Sequence, residues 1–343
     1  MNLKELSALL NLSQTTVSRA LNGYPEVSEA TRERVGKAAR EHNYIPNTRA
    51  QGLATGRTHA VGHVIPLSTK HEVVNPVFTD FIAGASEIYA QENYDMHLTV
   101  VPDTNEEAAY RKIASKGSVD GVIVHGPVEN DPRINLLQSI GMPFVVHGRS
   151  NTEVDQDYAW VDMNNKRAFE RATKFLIDLG HRRIGLLNGL ESMDFAIRRR
   201  AGYQSALDAA GIATDPSLCR SEEMTEDYGY ESTMAFCARD TPPTAILASS
   251  IIVGIGVRRA CSELNLTLGK DLSLIIHDDG LSYFRNGAAA SQYTATRSSV
   301  RQAGLTCAEL LMEQIANPDV PKRHVLMEAE LIIGSTTGPA PRS

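Results

Sequence analysis

The chain has 343 residues and a formal net charge of −7, and its length suits two or three domains rather than one. Hydrophobic residues make up 42% and charged residues 22%, a balance that excludes a disordered chain. The sequence shows no apolar run as long as a membrane span, no signal-peptide pattern at its start, and no cysteine spacing typical of zinc sites or disulfide frameworks. We therefore expect a cytoplasmic protein with no membrane partner.

The first 45 residues predict three short helices. Asn2, Ser13 and Ser28 each stand before an apolar run of helical period and are expected to be N-caps. Asn11 tolerates the left-handed backbone of a tight turn between the first two helices. This spacing indicates a helix-turn-helix. Residues 1–58 carry eight Lys or Arg and five Asp or Glu, which leaves −10 for residues 59–343, so a basic head precedes an acidic body.

From Ala60 onward, short apolar strands alternate with amphipathic helices. The predicted strands are VGHVIPL, MHLTVV, GVIVHG, PFVVHG, RIGLLNG, AILASS and LSLIIHDD. This alternation predicts an α/β fold with two doubly wound parallel-sheet lobes, similar to periplasmic binding proteins, behind an all-α headpiece. The expected domains are 1–46 (helix-turn-helix), 47–58 (hinge helix or linker) and 59–343 (two lobes). We expect the chain to cross between the lobes near 157–165, 285–298 and 318–324. A ligand would bind where the carboxyl ends of the strands meet, between the lobes.

No catalytic motif appears in the sequence. It contains no GxSxG, no P-loop, no HExxH and no GxGxxG after a strand. The run His277–Asp278–Asp279 invites a metal assignment, but its simpler interpretation is a strand end that opens on a cleft. We therefore expect no enzyme, no metal and no cofactor.

The motifs in chain order resemble the LacI/GalR transcription repressors. The resemblance is carried by SQTTVSRALN, VSEATRERV, NYIPN and RAQGLA, followed by GHRRIGLLNG, RRRAGY and IIHDD, and it runs from Leu3 to about Gly334. It implies a sequence-specific DNA-binding regulator that recognises a pseudo-palindromic operator in double-stranded DNA and senses a small molecule.

The resemblance also implies which residues contact DNA. Base contacts fall to Gln14, Thr15 and Arg19 on the recognition helix, because Gln pairs with adenine and Arg with guanine. Leu53 matches the leucine that a hinge helix inserts into the minor groove. The backbone-contacting positions are Ser13, Thr16, Asn22, Ser28, Thr31, Tyr44, Asn47, Ala50 and Gln51. Ser13 and Ser28 can serve as N-caps in addition, and residues 47–58 can alternatively be a plain linker.

For the effector, the resemblance implies that Asp278 and Arg199 grip hydroxyl groups. Helical phase favours Arg199 among the three consecutive arginines at 198–200. Further lining positions are Pro66, Phe78, His125, His147, Tyr228, Ser250 and Ser298, for each of which ordinary packing is an equal alternative. Gly148 departs from the family pattern, which often has an aspartate there, and His147 or Arg149 can compensate. The runs FVVHGR and FAIRRR are similar to regulators of α-glucoside uptake genes, so we expect a sugar effector of that kind.

Three alternatives stay open at this point. A corepressor-type regulator could bind a non-sugar metabolite, a stand-alone sugar-binding protein would share the two lobes, and an enzyme could share the doubly wound fold. A headpiece reads only half of a two-fold operator, so we expect a homodimer. The terminal run GSTTGPAPRS is too short for a tetramer-forming heptad tail.

Overall fold

The computed structural model describes residues 1–44, 57–66, 75–102, 105–150, 157–284, 286–287 and 291–341. The chain divides into a helical unit of residues 1–59, with the short stretch 117–119, and an α/β unit of residues 60–116 and 120–343. The expected hinge, together with Asn47, Ala50, Gln51 and Leu53, lies almost entirely outside the described residues.

The helical unit contains α1 (Leu3–Leu10), α2 (Gln14–Leu21) and α3 (Glu29–Glu41). Asn2 caps α1 in a capping box with Glu5, and each side chain accepts the other residue's N–H at 2.9 Å. Asn11 has the expected left-handed backbone, with a φ of 50°. The apolar faces of the three helices enclose one core, whose buried residues are Leu6, Leu10, Val17, Ala20, Val27, Val35, Ala38 and Ala39.

The elements of the α/β unit are, in chain order, β1 (Ala60–Pro66), α4 (Pro76–Gln91), β2 (Asp95–Val101), α5 (Glu106–Lys116), β3 (Gly121–His125), α6 (Pro132–Ser139), β4 (Phe144–His147), β5 (Ala159–Met163), α7 (Asn165–Asp178), β6 (Ile184–Asn188), α8 (Asp194–Ala209), β7 (Cys219–Ser221), α9 (Glu226–Cys237), β8 (Ala245–Ala248), α10 (Ile251–Glu263), β9 (Ser273–Asp278), β10 (Thr294–Arg297), α11 (Val300–Ala316), β11 (His324–Met327) and β12 (Glu330–Ile332).

Within the described residues, these strands form two six-stranded sheets. The first has the order β11-β5-β4-β3-β1-β2 and is parallel throughout. The second has the order β12-β10-β9-β8-β6-β7, and in it only the pair β10-β12 is antiparallel.

Each sheet with its helices forms a lobe, and the predicted two-lobed fold class is confirmed. We call the lobe with α4, α5, α6 and α11 the first lobe and the lobe with α7 to α10 the second lobe. Central strands of both lobes are buried on both faces, as covered parallel sheets require; all six residues of β9 are buried.

The chain passes between the lobes at 163–165, at 297–300 and at 327–330. The third passage corrects the expected range of 318–324, because β11 still belongs to the first sheet and only β12 joins the second. The prediction also missed β5, β7, β10, β11 and β12, which have three to five residues each.

Candidate functional site

The exposed face of α2 carries the predicted base-contacting residues. Gln14, Thr15 and Arg19 are all exposed, and Thr15 and Arg19 are four residues apart, so they share one side of the helix. Val17 and Ala20 occupy the opposite, buried side. Ser18 stands four residues after Gln14 and so lies on the same side of the helix, where it is half-buried.

The predicted backbone-contacting residues of the helical unit cluster at helix ends. Ser13 caps α2 by accepting the N–H of Thr16 at 3.0 Å, and Ser28 caps α3 by accepting the N–H of Thr31 at 3.4 Å. Asn22 is the C-cap of α2, and Tyr44 is half-buried just after α3. Free amide groups at helix N-termini bind phosphate, so capping and phosphate contact are compatible roles for both serines.

A large cavity of about 1270 Å³ lies between the two lobes of the α/β unit. Its wall combines the carboxyl ends of first-lobe strands, such as His125 and His147, with second-lobe groups such as Arg199 and Asp279. Among the described residues, the phenylalanine rings of Phe78, Phe81 and Phe195 also line it. The cavity is therefore an apolar cleft with a few convergent polar groups, the usual form of a small-molecule site.

Arg199 is a cavity residue held in place by hydrogen bonds and by aromatic rings. It lies on α8 and is only 5% exposed. Its Nε donates to Oδ1 of Asn165 and its Nη1 donates to the carbonyl of Ser249, both at 2.7 Å. The guanidinium carbon lies 5.0 Å from the ring centre of Phe169 and 4.9 Å from that of Phe195. Burial lowers the pKa of Arg199 to about 10, so it is cationic at neutral pH.

Asp279 supplies the matching negative charge. Burial alone would raise its pKa, but the interaction with His277 and the charge of Arg199 bring the pKa below its ordinary value. His277 Nε2 lies 3.2 Å from the Asp279 carboxylate, and its Nδ1 is 3.0 Å from the hydroxyl of Thr296. Burial lowers the pKa of His147, on the first-lobe wall, to about 4, so that ring is neutral.

A chain of hydrogen bonds continues behind the first-lobe wall. His125 Nε2 lies 3.0 Å from His63 Nδ1, and His63 Nε2 lies 3.0 Å from the hydroxyl of Tyr89. Burial lowers the pKa of His63 to about 3 and holds the pKa of His125 well below its ordinary value. Phe78 and Phe81 meet the His125 ring edge-on, with ring centres 5.2 and 4.8 Å away.

Polar contacts join the two lobes around the cavity. Asp162 on β5 accepts from Arg149 of its own lobe at 2.9 Å and from Arg198 on α8 at 3.1 Å. The N–H of Asp194 donates to the carbonyl of Pro127 at 3.1 Å. These bonds bridge first-lobe strand ends and the start of α8, so a relative movement of the lobes has to change them.

Comparison with known proteins places this geometry in a family. Residues 2–47 match the model for bacterial regulatory proteins of the lacI family, and residues 173–337 match a periplasmic binding protein-like domain. The chain is 44% identical over 341 residues to the HTH-type transcriptional regulator AglR of Rhizobium meliloti, covering 99% of this chain and 95% of AglR. The chain belongs to the LacI family. It is accordingly a helix-turn-helix transcriptional regulator and not an enzyme.

Solved structures support the fold of this LacI-family chain. A CelR–cellobiose complex matches with a TM-score of 0.72 and 25% identity over 97% of this chain and 99% of CelR. The lac repressor dimer bound to operator and the anti-inducer ONPF matches with a TM-score of 0.80 and 23% identity over 97% of this chain and 98% of that chain. Within the described residues, no helix is both long and apolar enough to cross a membrane.

The structure brings most of the predicted effector residues to one cavity. The described residues among them that line it are Phe78, His125, His147, Arg199, Ser250 and Ser298. Pro66 ends β1, and its side chain lies outside what the structure describes.

Two predicted effector residues lie off the cavity wall. The Asp278 carboxylate accepts the N–H of Gly280 at 2.9 Å and faces Arg297, while the residues on either side of it, His277 and Asp279, line the cavity. Successive side chains of a strand point to opposite faces, so Asp279, and not the predicted Asp278, is the acid of this run that lines the cavity. Tyr228 is buried, and its hydroxyl donates to the carbonyl of Asn188.

The backbone conformation at position 148 requires glycine. Its φ of 105° is unfavourable for any residue with a Cβ, and an added Cβ would lie 2.7 Å from Cδ of Pro127. The neighbouring Arg149 also lines the cavity, where it pairs with Asp162. Sequence patterns did not single out Asp162, Phe81 or Phe195 as cavity residues, because they look like ordinary lobe packing.

Proposed function

We propose that this LacI-family regulator is a cytoplasmic repressor whose operator binding is released by a neutral sugar of the α-glucoside class. The observation that carries the effector proposal is that Arg199 and Asp279, which have opposite charges, both line the second-lobe side of a cavity that also contains aromatic rings. A guanidinium and a carboxylate held in fixed positions can bind adjacent hydroxyl groups of a sugar by charge-assisted hydrogen bonds. Aromatic faces next to them suit the apolar side of a sugar ring.

The charge of the cavity supports a neutral effector. Among the described lining residues, eight carboxylates accompany four guanidinium groups. Arg133 is paired with Asp131 and Glu106, and Arg149 is paired with Asp162. The excess negative charge would therefore repel an anionic metabolite, whereas it would not repel a neutral polyol. The cellobiose in the CelR complex is a precedent for a neutral disaccharide in this fold.

For DNA, we propose that α2 enters the major groove and that Gln14, Thr15 and Arg19 contact base edges. Ser13, Thr16, Asn22, Ser28, Thr31, Tyr44, Asn47, Ala50 and Gln51 would contact the backbone and fix the register. Residues 47–58 would fold as a hinge on DNA, with Leu53 inserted into the minor groove.

We further propose a homodimer on a pseudo-palindromic operator. Strand β2 is the outer strand of the first sheet, and Met96, Leu98 and Val100 along one of its faces are 39%, 44% and 42% exposed. A row of exposed apolar side chains on an outer strand is typical of an association surface.

A DNA-binding titration with a sugar panel tests the proposal. The fragment upstream of the protein's own gene should be bound with nanomolar affinity, and one of maltose, trehalose, sucrose or methyl α-glucoside should release it. A sugar that tightens the complex would indicate a corepressor-type regulator instead. Binding of no sugar in the panel by calorimetry would reject the proposed effector class, whereas failure to bind DNA would reject the regulator itself.

A further inference from the structure

Two residues that do not line the cavity are hydrogen-bonded in series to one that does. Tyr89 is 2% exposed and His63 is fully buried, and neither lines the cavity, whereas His125 does. The series runs from the Tyr89 hydroxyl to His63 Nε2 and from His63 Nδ1 to His125 Nε2, with 3.0 Å at each step. The Nδ1 atom of His125 has no hydrogen-bond partner among the described residues.

The burial of these groups restricts where their protons can be. Burial keeps the pKa of both histidines far below neutrality, so each ring carries one proton. Two arrangements are then possible along the series. In one, Tyr89 donates to His63 Nε2, His63 Nδ1–H donates to His125 Nε2, and His125 carries its proton on Nδ1. In the other, both histidines carry their proton on Nε2, so His125 donates to His63 and His63 donates to the Tyr89 oxygen. The Tyr89 hydroxyl hydrogen then has no acceptor among the described residues, and an unsatisfied donor costs free energy in a buried site.

We propose that Tyr89 and His63 are positioning residues that hold His125 in its Nδ1–H tautomer, so that His125 donates a hydrogen bond to an oxygen of the effector. The inference rests on the proposed sugar-binding function and narrows it. The effector has to present an acceptor at this wall (a hydroxyl, ring or glycosidic oxygen), and an ammonium group is excluded there. Phe78 and Phe81 fix the plane of the donating ring by their edge-on contacts.

The tautomer can be read in the free protein by nitrogen-15 NMR of histidine-labelled full-length chain. Protonated and unprotonated ring nitrogens have well-separated shifts, and the signals that disappear in His125→Asn identify His125. We expect a proton on Nδ1 of His125 in the wild type and a mixture of tautomers in Tyr89→Phe. A wild-type His125 that carries its proton on Nε2, or a Tyr89→Phe spectrum with an unchanged His125 tautomer, overturns the proposal.

A double-mutant cycle on sugar affinity tests the donation itself, with maltose, trehalose, sucrose and methyl α-glucoside as probes. Tyr89→Phe should weaken binding of the preferred sugar by about fivefold, the effect of one net hydrogen bond. In the His125→Asn background, the introduced side-chain amide can donate a hydrogen bond regardless of the tautomer of His63. Adding Tyr89→Phe to this background should therefore change sugar affinity by less than about twofold. An equal loss in both backgrounds would show that Tyr89 acts only through packing and would overturn the proposal.

A matched control is available in the same lobe. Tyr110 is also buried, and its hydroxyl bonds to no group among the described residues, so Tyr110→Phe should leave both the His125 tautomer and sugar affinity unchanged. A loss as large as that of Tyr89→Phe would contradict the positioning role. If the wild type binds none of the four sugars, both the proposed effector class and the hydrogen bond from His125 to a sugar are rejected. The NMR result on the free protein then shows separately whether the tautomer assignment is correct.

Discussion

At the scale of single residues, periodicity predicted a cavity-lining arginine, Arg199, but a cavity-lining acid, Asp279, was not predicted. Arg199 is one of three consecutive arginines, and helical phase favoured it; Arg198 instead pairs with Asp162 and Arg200 with Glu191 at 2.6 Å. The neighbouring acids were not separable in the same way. Asp278 was taken from the family resemblance, but a strand reverses its face at every residue, and the acid that lines the cavity is the next residue, Asp279.

The two adjacent acids give a matched pair of variants. Asp279→Asn removes a charged acceptor from the cavity and should weaken binding of the preferred sugar by about tenfold to a hundredfold, the range of hydrogen bonds to charged groups. Asp278→Asn keeps an oxygen that can accept from Gly280 and should change sugar affinity by less than about twofold. Calorimetric titration of both variants decides between them, and a larger loss in Asp278→Asn would restore the original assignment.

The buried histidines predict acid sensitivity. Unfolded histidine takes up a proton near its ordinary pKa of 6.5, but folded His63 does so only near pH 3. Between these values the unfolded state binds more protons, so the free energy of unfolding falls as the pH falls, by up to about 1.4 kcal/mol per pH unit for this residue. The melting temperature of the wild type should drop between pH 6.5 and 4.5, and the drop should be shallower in His63→Gln. Parallel curves would contradict this origin.

At the scale of elements, local signals were predictable and distant pairings were not. The caps of α1, α2 and α3 follow from side chains within three residues of the helix start. Strands such as β1 and β9 were also predictable from local sequence, because each is a continuous apolar run. The five missed strands are short, and two of them, β11 and β12, join different sheets only through partners more than thirty residues earlier in the chain. Nothing in the local sequence specifies those partners.

The recognition helix yields a prediction at this scale. Arg19→Ala should weaken operator binding by roughly 1–3 kcal/mol and relax the preference at one guanine per half-site. Lys37→Ala is a control with the same charge change, because Lys37 lies exposed on α3 beside Glu41. Fluorescence anisotropy on operator and random DNA measures both variants. An Arg19→Ala loss that is equal on the two DNAs would assign Arg19 to the phosphate backbone.

At the scale of the whole molecule, association through β2 can be tested by charge insertion. Leu98→Lys places a cation in the centre of the exposed apolar row and should convert a dimer at micromolar concentration into a monomer. Ile333→Lys changes another exposed apolar residue, 56% exposed, away from that strand and should leave the dimer intact. Sedimentation equilibrium measures both. A dimer that persists in Leu98→Lys would place the interface elsewhere.

Contacts between the lobes can couple sugar binding to DNA binding. The lobes are joined by polar bonds such as Arg198–Asp162 and Asp80 to Ser282, and a ligand can shift their arrangement only by binding one arrangement more tightly than the other. Coupling of this kind is typically about 5- to 150-fold, and it is reciprocal. If sugar weakens operator binding by a given factor, operator must weaken sugar binding by the same factor.

Calorimetric titration of the preferred sugar with and without saturating operator measures that factor directly. Arg199→Ala should keep operator affinity and lose the response to sugar, which would give permanently repressed genes. Leu53→Ala should do the reverse, with weaker operator binding and near-normal sugar affinity in the free protein. Equal sugar affinity in the two states would rule out induction by this route. Tighter sugar binding on DNA would instead make the sugar a corepressor, because linkage fixes the sign as well as the size of the effect.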